Sequence, residues 1–250
     1  VTDLRYVSHK IYQGKKPLKG LPSLSLNNDD EADTLEVLTC DKVTGAEVTL
    51  VYTVFKDYGA ITRSVIVKNN SDKAFSIEAV HSLCVDLPSS DFEMLNLYGK
   101  WAKERSLGRH NLHTGIQSIK SKRGSSSHNH NPFTALVSKN ATETHGECYG
   151  FNLVYSSNFS IDVEVDSFLQ TRVLMGINPE TFSWVLEPQE EFYSPEAVMV
   201  YTNEGLGEMS RIFHKLYSNN LVRGEWKKKK RPLLINNWEG TGMDFDTDKL

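Results

Sequence analysis

Phe75-Ser-Ile-Glu-Ala-Val-His-Ser-Leu-Cys-Val-Asp86 decides the fold class. Phe75, Ile77, Ala79, Leu83 and Val85 share one parity, while Ser76, Glu78, Ser82 and Asp86 take the other. Period 2 over that length is the mark of a half-buried antiparallel strand, because successive side chains leave a strand on opposite faces. Upstream, Thr34–Thr39 and Ala46–Phe55 are rich in β-branched and aromatic residues and flank the polar turn Asp41-Lys-Val-Thr-Gly45, which predicts a hairpin. Ile61–Lys68 follows the Tyr58-Gly59 break and ends in Asn69-Asn-Ser-Asp72, good turn chemistry. Downstream, strands are expected at Glu147–Tyr155, Phe159–Asp166, Thr171–Gly176, Phe182–Leu186 and Ala197–Tyr201. More than ten short strands at regular spacing predict an all-β, antiparallel sandwich.

Two later segments break the pattern. Leu206, Met209, Ile212, Phe213, Leu216 and Tyr217 recur at three- and four-residue steps, one apolar helical stripe within Glu204–Asn219 that serves as a linker helix against the sheet. The basic run Lys227–Arg231 reads as solvated linker, since like charges repel and avoid burial. After Pro232, Leu233-Leu-Ile235 is a continuous apolar run suited to a strand buried on both faces. It leads into Asn236-Asn-Trp-Glu-Gly240, and Phe245–Leu250 reads as the start of a helix. Strand, polar loop and helix make a first βα unit. The expected organisation is a sandwich over residues 1–203, a helical linker over 204–231 and the opening of another domain over 232–250.

Composition is consistent with a globular chain: 250 residues, 39% hydrophobic, 24% charged, net charge −4. That mild acidity gives no reason to expect nucleic acid, and no apolar run of membrane-spanning length is present. Cys40, Cys84 and Cys148 form no CxxC spacing and are read as small core residues in a reducing, cytoplasmic setting. Sequons at Asn69, Asn140 and Asn158 are uninformative. No Met precedes Val1, so the start is expected to be a cut in a longer chain.

Few residues stand out chemically. The acidic side chains are scattered, and nothing selects a catalytic pair. His128 and His130 share a parity that would suit a metal on a strand, but no third ligand is in evidence, so no metal or cofactor is expected. Trp101 follows Leu97-Tyr-Gly-Lys100, a strand end with a Gly break; it either reaches a ligand or neighbouring subunit or packs partly buried beneath a loop. Trp238 directly follows the apolar strand, where an indole offers a flat apolar face to a ligand and one N–H donor, or else packs locally. Glu239 is either an acceptor behind that ring or a helix-side charge; Asn236 and Asn237 are expected to hold the loop.

Five stretches in order resemble the family 36 α-galactosidases: Asp3–His9, Phe55–Ser64, Arg123–Phe133, Gly146–Ser156 and Pro232–Glu239. The resemblance is collinear over essentially the whole chain. It implies an N-terminal β-supersandwich whose first strands are missing here, followed by the first strand of a truncated (β/α)8 barrel. It implies a retaining hydrolase acting on α-1,6-linked galactosides such as melibiose and raffinose, with two catalytic Asp residues on late barrel strands, outside this chain. It places Trp238 in the galactose pocket, at the C-terminal end of a barrel strand where barrel active sites form. It also implies a homotetramer whose sandwich loops approach a neighbour's active site. A stand-alone carbohydrate-binding or oligomerisation module is the alternative, discriminated by the apolar run Leu233–Ile235, for which such a module has no use.

Overall fold

The computed structural model describes residues 2–249. Sixteen strands form: β1 (Arg5–Gln13), β2 (Ala32–Cys40), β3 (Ala46–Phe55), β4 (Ala60–Asn69), β5 (Phe75–Ile77), β6 (His81–Leu87), β7 (Phe92–Lys100), β8 (Lys103–Asn111), β9 (Gly115–Lys120), β10 (His130–Ser138), β11 (Cys148–Val154), β12 (Phe159–Val165), β13 (Thr171–Ile177), β14 (Trp184–Leu186), β15 (Glu191–Tyr193) and β16 (Glu196–Thr202). Helix α1 (Gly205–Leu216) follows, then the short α2 (Trp238–Thr241).

The strands make an antiparallel sandwich. The larger sheet runs β1-β2-β3-β4-β16-β11-β10-β7-β8, with β15 beside β4; the smaller runs β6-β13-β12-β9, and β5 pairs with β14. Between the two main sheets lie Leu83, Met94, Leu136, Phe151, Phe159, Ile161, Val173 and Met175. The opposite face of the large sheet is apolar too, and Phe55, Ala135, Val137 and Val200 pack there with Met209, Phe213 and Leu216 of α1. This double coverage explains why Thr134–Val137 is buried without alternation. A fully buried Leu or Phe contributes about 1.5–3 kcal/mol, so the helix is held by its stripe more than by its own propensity.

The Asp41–Gly45 turn forms as expected. Asp41 Oδ1 accepts from the backbone N–H of Val43 at 2.9 Å, and Gly45 adopts φ +72°, where a side chain would also strike Ser71. Hydrogen bonds from the backbone N–H groups of Val43 and Asp3 hold the Asp41 carboxyl below the usual range.

Several expectations need correction. Phe75–Asp86 is two strands: β5 pairs with β14, whereas β6 joins the small sheet beside β13. Glu78–Val80 crosses between them with Ala79 exposed and Val80 packed inward, so the structure breaks an alternation that the sequence carries straight through. Among the cysteines only Cys148 is buried; Cys40 is half-buried and Cys84 is exposed on β6. Burial pushes the Cys148 thiol up to about 11. Leu233–Ile235 forms no strand among the described residues; it is irregular and 86–99% exposed, because a strand exists only with a partner to pair with. No helix begins over residues 245–249, and Leu250 lies outside the described residues; the helical turn comes earlier, at α2.

Candidate functional site

The loop bearing Trp238 is built largely from its own side chains. Asn236 Oδ1 accepts from the Trp238 N–H at 3.0 Å, an Asx-type bond that starts α2. Asn237 Nδ2 donates to Thr241 Oγ1 at 2.8 Å, and the Asn237 carbonyl accepts from the N–H groups of Gly240 and Thr241. Gly242 ends the turn at φ +57°. Both asparagines are therefore spent on the loop. Trp238 is 57% exposed, and Glu239 is exposed beside it. Upstream, Trp226, Arg231, Pro232, Leu233 and Leu234 line a shallow apolar hollow of about 490 Å³.

Trp101 occupies the two-residue turn between β7 and β8, 78% exposed, which rules out packing beneath a loop in this chain. Ala102 beside it adopts φ +59°, the position of a tight turn where glycine is usual. The turn is supported by Glu104, whose Oε1 accepts from the Ala102 N–H at 2.9 Å. Trp101 and Trp238 lie on separate elements, and no hydrogen bond or ring contact joins them among the described residues.

Five carboxyl groups are clearly displaced from their ordinary values, and all five are displaced downward: Glu31, Glu36, Asp41, Asp86 and Glu180. Burial would raise Glu36, but bonds from Lys10, Tyr12 and Lys16 outweigh it; Asp86 is held down by Arg172, and Glu180 by Lys122 and Lys120. Retaining glycoside hydrolysis requires one carboxyl protonated, hence raised, and a second about 5–5.5 Å away. His128 sits in the turn before β10, and among the described residues no three His, Cys, Asp or Glu side chains converge for a metal. No helix among them is long and apolar enough to cross a membrane.

The sequence reading missed one constellation: Lys15 and Glu196, an ion pair buried at 4% and 2% exposure. Only the presence of a Glu at the head of an apolar strand signals it in sequence.

Residues 1–187 match the profile of the glycosyl hydrolase family 36 N-terminal domain. The chain belongs to glycosyl hydrolase family 36. Residues 191–250 match the melibiase profile, so β15 and β16 of the family 36 sandwich sheet fall within the second match. The α-galactosidase AgaA of Geobacillus stearothermophilus is 48% identical over 250 residues, covering 100% of this chain and 34% of the relative. The α-galactosidase Mel36A of Lactobacillus acidophilus is 47% identical over 247 residues, again 34% of the relative. The chain thus spans about a third of the curated relatives it matches. The crystal structure of AgaA superposes with a TM-score of 0.96 over 99% of this family 36 chain and 34% of its own. The α-galactosidase of Lactobacillus brevis superposes with a TM-score of 0.95 at 40% identity, covering 98% of this chain and 33% of its own. Variants of AgaA have been solved in complex with raffinose and with stachyose.

Proposed function

We propose that this chain is the N-terminal portion of a retaining α-galactosidase that removes terminal α-1,6-linked galactose from melibiose, raffinose and related oligosaccharides. The observation that carries the reading is the collinear match, at 48% identity across the whole chain, to an α-galactosidase three times as long. The complexes of that relative with raffinose and stachyose support the substrate class.

In this reading the sandwich occupies residues 1–203, a helical linker 204–231 and the first βα unit of the catalytic barrel 232–250. The catalytic carboxylates lie on later barrel strands, outside the chain. Trp238 lines the galactose pocket, giving a flat apolar face to the sugar and an indole N–H to a hydroxyl. Trp101, at the tip of an exposed hairpin, meets ligand or a neighbouring subunit in a homotetramer. The enzyme works in the cytoplasm and needs no cofactor.

The test is kcat/KM for melibiose in the whole enzyme. Trp238→Ala removes a ring contact and a donor, an expected loss on the order of 2–4 kcal/mol of transition-state stabilisation. At about 1.4 kcal/mol per decade that is roughly 30- to 1,000-fold. Trp238→Phe returns the ring face without the N–H and recovers part of the loss. A well-folded Ala variant of near-normal efficiency sinks the assignment and leaves Trp238 as local packing.

A further inference from the structure

A buried polar strap lies where the chain leaves the sandwich. Glu196 opens β16 in the middle of the large sheet and is 2% exposed. Its Oε1 lies 2.6 Å from Lys15 Nζ, and its Oε2 accepts from the Leu24 N–H at 2.6 Å. Lys15 Nζ also donates to the Leu24 carbonyl at 2.9 Å. Both charges are dry, and their desolvation offsets much of their attraction. Apolar side chains of like volume would stabilise such a position as well or better, so stability alone is a poor reason for the pair. What the pair supplies is direction: it grips both backbone groups of one residue, Leu24, which is itself 1% exposed.

The residues flanking Leu24 hold the chain beyond α1. The Ser25 N–H donates to the Asn220 carbonyl at 2.7 Å. Asn220 Nδ2 returns a bond to the Ser25 carbonyl at 2.9 Å and another to Glu31 Oε2 at 3.0 Å. An Arg223 guanidinium nitrogen donates to the Ser23 carbonyl at 2.7 Å, and Lys227 Nζ to Asn27 Oδ1 at 3.1 Å. Asn220 is 1% exposed and sits in the π-helical turn Tyr217–Leu221 that continues α1. Residues 14–31 therefore tie the central strand β16 to residues 220–227, from which the exposed stretch 228–235 leads to the Trp238 loop.

We propose that Lys15, Glu196 and Asn220 are positioning residues: through the 14–31 strap they fix the path by which the chain reaches Trp238, and so set the geometry with which the whole enzyme binds its galactoside. The proposal rests on the reading of Trp238 as a pocket residue.

The experiment uses the whole enzyme, with kcat and KM for a chromogenic α-galactoside measured well below the melting transition. The variants are Lys15→Met, Asn220→Ala, their combination, and Trp238→Ala in parallel. Hydrogen exchange over residues 217–231 and thermal melting accompany the kinetics. Each single strap variant is expected to speed exchange there and to lower kcat/KM about tenfold. The combination is expected to cost little more than the larger single, because both cut one strap. Folded strap variants with faster exchange, a lower melting temperature and unchanged kcat and KM overturn the proposal, since a merely structural role gives that pattern. If Lys15→Met fails to fold, Asn220→Ala and Arg223→Ala, which cut the strap at its other end, decide on the same criteria. A loss confined to Trp238→Ala leaves the pocket reading standing and removes the strap. An inert Trp238→Ala removes the pocket reading and this inference with it.

Discussion

Gly150 on β11 and Phe213 on α1 are packed with no space between them: a Cβ on Gly150 would lie 2.6 Å from Phe213 Cε2 and 2.8 Å from Met209 Sδ. Phe213 has nowhere to retreat, being buried against Phe133 and Tyr217 with ring centroids 5.9 and 5.6 Å away. Gly150→Ala is therefore expected to destabilise by about 1–3 kcal/mol through overpacking. At about 2–4 °C per kcal/mol for a chain of this size, the melting temperature falls by several degrees. Adding Phe213→Leu to Gly150→Ala should cost less than the two single changes summed. Additive single effects in a thermal melt count against the close approach.

Thiol chemistry separates the three cysteines. Cys84 is exposed on β6, while Cys148 is buried with its thiol raised to about 11. At pH 8 a thiol reagent is expected to modify Cys84 quickly in the folded chain and Cys148 only after denaturation, because the thiolate is the reactive form. Cys84→Ser should abolish the fast phase. A fast phase that survives in the Cys40→Ser, Cys84→Ser double variant, where only Cys148 remains, places Cys148 in solvent and contradicts the packing behind β11.

Glu36 gives the fold a defined acid response. Tyr12 donates to its carboxylate at 2.7 Å, and Lys10 and Lys16 approach to 2.8 and 3.1 Å, so its folded pKa lies below the unfolded value of about 4.3. A depressed carboxyl contributes stability that is present above the unfolded pKa and is lost as pH falls through the folded one. Both lysines are more than half exposed, which screens the pairs and keeps each below about 1 kcal/mol. Glu36→Gln should lower the melting temperature modestly at pH 6, and the gap should close on acidification below about pH 4. A gap that is constant down to pH 3 excludes the ionic contribution.

The tail should open first. Residues 228–231 are exposed, and Leu233, Leu234 and Ile235 expose nearly all of their surface. Brief trypsin treatment of the 250-residue chain is expected to cut within Lys228–Arg231 before any site in the sandwich, leaving its melting curve unchanged. First cleavage within β2–β4 instead would show that the tail is packed.

How far the sequence discloses this molecule depends on burial. Strands β11 and β16 carry apolar runs because both their faces meet apolar layers, whereas β12 reads by alternation, with Phe159, Ile161 and Val163 facing the core; all three read clearly. β8, Lys103-Glu-Arg-Ser-Leu-Gly-Arg-His-Asn111, is an edge strand exposed along most of its length, so no apolar period marks it. β1 is exposed on both faces and equally silent. At the crossover Glu78–Val80 the sequence alternation runs on through Ala79, although Ala79 is exposed and Val80 packs inward, and so it hides a change of sheet. Trp238 and Trp101 stand out locally, as aromatics on turn-like sequence. Lys15 and Glu196 do not, because an ion pair is visible only once the fold has brought distant positions together. For the same reason the apolar run Leu233–Ile235 announces a strand that pairing has not supplied.

The central claim is that the chain is the non-catalytic N-terminal portion of an α-galactosidase. Its most direct test is the turnover of a chromogenic α-galactoside by the purified 250-residue chain beside the whole parent protein at equal molarity. Covalent hydrolysis needs a nucleophile and an acid held together, and the account assigns neither to this chain. It predicts turnover by the parent and only background from the chain. Turnover by the chain that disappears on changing a single Asp or Glu within it, or a folded parent inert toward α-galactosides, would contradict it.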